Sequence, residues 1–152
     1  MTPFEFIDLS IPADGELRLK LIGCVPAEIS SWHVPAYLFH MTTESEAYVG
    51  RIRLRVGWNE QIIRFAGQIG YAVEPAYRGR HFAERACRMI LPLAQRHGMN
   101  DVWITCQPDN HASRRTLERL GARNMGVFDV PEAYPMDAGG ERKKMCFRLD
   151  LK

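Results

Sequence analysis

Residues 70–83 read Gly-Tyr-Ala-Val-Glu-Pro-Ala-Tyr-Arg-Gly-Arg-His-Phe-Ala, and this stretch joins a strand pattern to a helix pattern. Ile69, Tyr71 and Val73 alternate with smaller or polar residues, the period of two expected of a strand. Pro75 has no N–H to give to a ladder and ends that strand. Phe82, Ala83, Ala86, Met89, Ile90, Leu93, Ala94 and His97 then recur at helical spacing with charged residues between them, and Gly98 is the natural stop. A tight turn has to connect the two. Strand, short basic turn and helix together make a ready anion site, because the first helical amides lack partners and point toward the turn. Arg78 and Arg80 add positive charge, and Gly79 lets the backbone approach a ligand with no Cβ in the way. The same features also describe a surface turn with solvated arginines, and strand, turn and helix alone fit either reading.

The order Val73-x-Pro75-x-Tyr77-Arg78-Gly79-Arg80-x-Phe82-Ala83 resembles the central motif of the GNAT superfamily of N-acetyltransferases, Arg/Gln-x-x-Gly-x-Gly/Ala. In that family the motif's amides hold the pyrophosphate of coenzyme A, and the preceding strand hydrogen-bonds the pantetheine arm. Arg78 and Ala83 match the ends of the pattern, whereas His81 stands where the family usually has glycine. A side chain therefore has to be accommodated beside the phosphates. The amide remains, and an imidazole can itself donate to phosphate. The resemblance implies an α/β fold with a mixed, largely antiparallel central sheet flanked by helices.

With 152 residues, 46% hydrophobic and 25% charged, the chain is long enough for one well-cored domain, 1–152, and short for two. A formal net charge of +2 is less basic than an electrostatic nucleic-acid binder usually shows. Cys24, Cys87, Cys106 and Cys146 are scattered, with no Cys-x-x-Cys pair and no histidines at metal spacing, and read as reduced, mostly buried thiols. Neither a basic start followed by an apolar run nor a membrane-length apolar stretch is seen, so the expectation is a soluble, cytoplasmic protein without a metal.

Residues 4–11 have a weak alternating pattern, 13–15 make a turn, and Leu17, Leu19 and Leu21 mark the first core strand. The proline-bounded segment 26–35 has room for one short helix at best, where most GNAT proteins place two that shape the acceptor site. The resemblance thus implies a shortened helical region after the first strand and a more open acceptor site. Residues 36–41 and 47–56 read as strands. Arg51, Arg53 and Arg55 lie on the face opposite Ile52, Leu54 and Val56, which reads as one solvated sheet face. Residues 61–65 begin a long strand that passes Gly67 and Gly70 on its way to Val73. In the family a bulge in this strand opens the cleft for the thioester, and either glycine can supply it. Pro92 should bend the helix that follows the motif. Residues 101–106 are nearly continuously apolar and suit a sheet centre. Strands at 123–130 and 142–151 close the chain around a loop at 131–140.

Asn110 is placed to cap a helix ending at Gly121. Asn110-x-x-Ser113 followed by Glu118-Arg119-Leu120-Gly121 also resembles the second GNAT motif, whose asparagine reaches toward the pantetheine, and Asn110 is read in both roles. The family often places a tyrosine on this helix to protonate the departing thiolate, and that position is Leu117 here. Tyr71, Cys106, His111, Ser113 and Tyr134 are alternative donors, none singled out by the sequence. For a base, Glu60 and Glu74 are nearest in sequence, with exposed surface carboxylates as the plainer reading. Catalytic residues are therefore left unassigned.

By resemblance, covering 36–151, the chain is an acetyl-CoA-dependent N-acetyltransferase. The coenzyme is expected on the backbone of Tyr71 and Val73, on Arg78, Gly79, Arg80, His81, Phe82 and Ala83, and on Asn110. The partner is an amine-bearing acceptor of open identity, with no nucleic acid or membrane, and the family's frequent dimers allow a homodimer. The rival readings are a CoA-binding sensor or interaction module that does no chemistry, and nucleic-acid binding through the arginine-rich strand.

Overall fold

The computed structural model describes residues 4–30, 32–133 and 142–151. Seven strands and two α-helices follow one another as β1 (Leu17–Val25), β2 (Ala36–Thr43), β3 (Tyr48–Arg55), β4 (Ile69–Val73), α1 (Phe82–Arg96), β5 (Asp101–Cys106), α2 (His111–Leu120), β6 (Arg123–Asp129) and β7 (Lys143–Asp150). The strands form two antiparallel sheets, ordered β1-β2-β3-β4 and β5-β7-β6. Where the sequence suggests one central sheet, β4 and β5 instead part. They stay joined at one end, where Gln68 N–H donates to the Trp103 carbonyl at 2.6 Å and Trp103 N–H donates to Gln68 Oε1 at 2.8 Å.

Alternation along the strands decides which face is buried. Tyr37, Phe39 and Met41 on β2, with Ile52 and Leu54 on β3 and Ile69 on β4, turn to one face. They join Phe82, Ala86, Ile90 and Leu93 of α1 in a single core. Val102, Ile104, Leu117, Phe147 and Leu149 continue that core under the second sheet. At roughly 25 cal/mol per Å² of apolar surface, each such side chain contributes about 2 kcal/mol when fully buried. The stripe of α1 is therefore what fixes the helix against the first sheet.

Several expectations are corrected. Residues 61–65 do not begin a long strand: Ile62–Ala66 is a π-helical turn that closes with Gly67 N–H on the Ile62 carbonyl, so β4 starts only at Ile69. Ile62 and Ile63 are buried and adjacent, a pattern that periodicity alone cannot assign. The β3–β4 register is unbroken, so neither Gly67 nor Gly70 forms a bulge within the pair. Residues 4–11 form no strand; they pack irregularly, with Ile7 N–H donating to the buried Tyr37 hydroxyl at 2.7 Å. The described residues of segment 26–35 form turns, within the expectation of one short helix at best, with Ser30 N–H reaching the Pro26 carbonyl. β5 is an end strand of its sheet rather than a centre, and its second face is covered by the π turn, where Thr105 Oγ1 donates to the Phe65 carbonyl at 3.0 Å. Pro92 sits inside α1, which continues through it.

Candidate active site

β4 reaches the site with one edge unpaired. Glu74 N–H donates to the Val49 carbonyl of β3, so by the alternation of strand backbone Tyr71 and Val73 turn their own N–H and C=O away from β3, into the gap toward β5. Arg78 Nε reaches the Val73 carbonyl at 3.1 Å and ties the following turn to that edge. A short 3-10 turn, Pro75–Tyr77, leads into the loop. Gly79 has φ +85°, a conformation in which a Cβ is strained, and the space beside it is open. His81 is also left-handed, at φ 60° and ψ 25°, so it adopts the backbone geometry that glycine favours.

The amides of Gly79, Arg80, Phe82, Ala83 and Glu84 find no backbone acceptor among the described residues, and no side chain caps α1. They form a row of donors at the positive end of a helix dipole. Glu84 is the one carboxylate in that first turn, and it is already paired, accepting from Arg119 Nε at 2.5 Å and lying 3.4 Å from Arg88. Burial alone would raise its pKa, but the bonds and charges of Arg119 and Arg88 hold it below the ordinary value. The Glu84–Arg119 pair also braces α1 against α2.

On the far wall, Asn110 Oδ1 accepts from Ser113 N–H at 3.1 Å, the cap that its spacing predicts. Between the turn and α2 lies a cavity of about 540 Å³. Of the residues expected at a coenzyme, Tyr71, Val73, Arg78, Gly79, His81, Phe82, Ala83 and Asn110 all line it. Arg80 does not, and its guanidinium lies 5.8 Å above the Tyr77 ring. The sequence reading missed Arg115, Thr116 and Arg119, which line the same cavity from α2. Their spacing from Ala112, at three, four and seven residues, is the helical stripe that marks one face of α2.

A second cavity of about 500 Å³ opens on the other side of the gap, and both are lined by Tyr71, Asn110 and Ser113. Tyr71 Oη and Ser113 Oγ are 2.7 Å apart, a hydrogen bond that spans the gap. Burial pushes the Tyr71 phenol well above its ordinary range, so it stays protonated at any working pH. Cys106 also lines this second cleft. Its thiol is raised by burial and lowered in part by its bond with Ser113. Thus Ser113, Tyr71 and Cys106 meet where the cavities join. His111 lines neither cavity, and Tyr134 lies outside the described residues.

Leu117 is fully buried in the core, one turn beyond Ser113, and touches neither cavity. Glu60 is exposed and 3.8 Å from Arg64, and Glu74 is exposed at the end of β4; neither lines a cavity. The arginine face of β3 is not simply solvated. Arg55 is only 6% exposed and donates to the Gly67 carbonyl at 2.9 Å, while Arg51 and Arg53 border the second cleft. Among the described residues no group of His, Cys, Asp and Glu is placed to hold a metal, and no helix is long and apolar enough to cross a membrane.

A family model described as an acetyltransferase (GNAT) domain matches residues 16–123. YnaD of Bacillus subtilis (strain 168), an uncharacterized N-acetyltransferase, is 31% identical over 62 residues, 40% of this chain and 36% of that protein. Among solved structures, the microcin C7 self immunity acetyltransferase MccE, in complex with acetyl-CoA and AMP, aligns with a TM-score of 0.58 at 19% identity over 76% of this chain and 61% of its own. The ribosomal-protein-S5-alanine acetyltransferase from Vibrio fischeri aligns with a TM-score of 0.61 at 16% identity over the same 76% and 61%. At such identities these two structures share a fold with the chain. The chain spans 36% of the curated relative and 61% of each structure.

Proposed function

The chain belongs to the GNAT acetyltransferase family, whose domain model matches residues 16–123, and from that premise we propose that it transfers an acetyl group from acetyl-CoA to an amine. The observation that carries this reading is the junction of the two cavities at the Tyr71–Ser113 hydrogen bond. The first cavity has what a coenzyme needs. Unpaired turn amides with Arg78, Arg115 and Arg119 suit the phosphates, and the free edge of β4 at Tyr71 and Val73 suits the amide-bearing pantetheine arm. Asn110 stands on the facing wall. The second cavity is the acceptor's, and the described residues 4–30, 32–133 and 142–151 act as one domain around a single core.

The chain's own part in the reaction is orientation and proton transfer. The amine nitrogen forms its bond to the acetyl carbon as the carbon–sulfur bond breaks, and the departing sulfur takes a proton. Ser113 supplies it. The serine hydroxyl gives its proton at the junction while the Tyr71 phenol hydrogen-bonds to it and passes its own proton across, and solvent returns one proton to the pair, matching the one the amine releases. Among the described residues no carboxylate lines the acceptor cleft, so the amine's proton leaves to solvent. The absent carboxylate is also what a CoA-binding module without chemistry would have, and turnover separates the two readings. Purified protein with acetyl-CoA and a panel of amines should release CoA thiol. Replacing Ser113 with Ala should lower kcat by about 10²-fold while leaving CoA affinity unchanged. Tight CoA binding with no thiol release for any amine would favour the sensor.

A further inference from the structure

The second cleft carries a charge pattern that the transferase reading does not require. Arg51 and Arg53 of β3, Lys144 of β7 and His40 of β2 line it together with Arg55, and among the described residues no Asp or Glu does. Several cations elsewhere are paired. Arg85 holds Asp14 and Glu16, Arg88 and Arg119 hold Glu84, and Arg148 holds Asp101. Among the described residues, Arg51, Arg53 and Lys144 have no such partner within ion-pair distance. The chain's formal net charge is only +2, yet this one cleft brings three such cations together.

Arg53 adds a sharper observation. Its Nε is buried with no hydrogen-bond partner, and buried donors in native proteins are nearly always satisfied. Directly opposite in the β3–β4 register stands Gly70, and a Cβ there would meet nothing within 4 Å. The strand face is thus open at the position opposite Arg53. Lys144 completes the opposite wall, and its charge reaches the Cys106 thiol in the same cleft.

We propose that the acceptor bound in this cleft is a small amine that also carries an anionic group, a carboxylate or a phosphate, held by Arg51, Arg53 and Lys144. This rests on the acetyl-transfer reading. A cavity of about 500 Å³ suits a small molecule, and a guanidinium fork matches either anion in a bidentate geometry. The cations do a second service. Their field disfavours an ammonium in the cleft and so favours the neutral amine, the form that attacks, where no carboxylate among the described residues is placed to act as base. Polycationic amines are repelled for the same reason.

The test is calorimetric titration of CoA-saturated protein with succinate, inorganic phosphate and spermidine, CoA itself blocking the turn's own phosphate site. Wild type, Arg51→Gln and Arg53→Gln are compared, each checked by circular dichroism and by its CoA affinity. Binding of at least one dianion, weakened about tenfold by Arg51→Gln, with little binding of spermidine and unchanged CoA affinity, is expected. Whether succinate or phosphate binds more tightly identifies the anion. Arg51 is exposed, so its variant remains informative if Arg53→Gln fails to fold. Spermidine binding as tightly as the better dianion overturns the proposal. So does dianion affinity unchanged in Arg51→Gln, or no dianion binding at millimolar concentrations. A wild type that binds no CoA contradicts the acetyl-transfer reading instead, and the succinate titration still decides the cleft.

Discussion

Ser113 and Leu117 occupy successive turns of one helix, yet they face opposite environments. Ser113 looks into the cavities and touches Tyr71, whereas Leu117 is fully buried in the core. The helix register, rather than the motif alignment, decides which can give a proton. A tyrosine at 117 would have to fit into packed core. Leu117→Tyr should lower stability by about 1–3 kcal/mol in chemical denaturation and bring no gain in kcat. The Asn110 cap was legible, because an Asn three residues before Ser113 satisfies an amide through local geometry. Ser113's place beside Tyr71 was not, because its partner lies 42 residues away and sequence spacing carries no trace of that contact.

At the scale of elements, the gap between β4 and β5 depends on what precedes β4. The π turn Ile62–Ala66 ends on Gly67 at φ +77°, where an added Cβ would lie 3.1 Å from Thr105 N. Gly67→Ala should therefore cost about 1–3 kcal/mol and lower Tm, since the left-handed strain and the close approach act together. The sequence marked Gly67 as important but as a bulge within a strand. Ile62, Ile63 and Phe65 suit a strand or a buried turn equally, and the tertiary contacts at Thr105 and Cys146 decide. The strand-turn-helix of 69–96, by contrast, was legible nearly to the residue because its two periods differ and Pro75 separates them. At the C-terminal end of α1, His97 Nε2 bonds the Tyr37 hydroxyl at 2.6 Å, and burial lowers the imidazole's pKa. A folded-state pKa below the unfolded value means that the unfolded chain binds the extra proton. Stability is then full above the unfolded pKa of about 6.5 and falls as pH drops below it. Tm should decline between neutral pH and mildly acidic pH, and His97→Phe should flatten that slope; an unchanged slope would contradict the assignment.

Over the whole molecule, one core holds two splayed sheets, and the splay makes the site. α1 covers one face of the first sheet, while the described residues of segment 26–35 form turns where related folds are expected to carry helices. The opposite face keeps its arginines beside an open cleft. The division into two sheets and the meeting of two cavities could not be expected from sequence, because both arise from the relative placement of β4 and β5. In the proposed function, the turn at 78–83 and the free edge of β4 hold coenzyme A. Calorimetric titration of CoA into the wild type and Gly79→Pro tests it most directly, since proline's φ near −65° cannot adopt the +85° found at that position. Saturable one-to-one binding by the wild type, lost in a Gly79→Pro variant that keeps its native circular dichroism, is the predicted result. Equal CoA affinity in the folded variant, or none in the wild type, would contradict it.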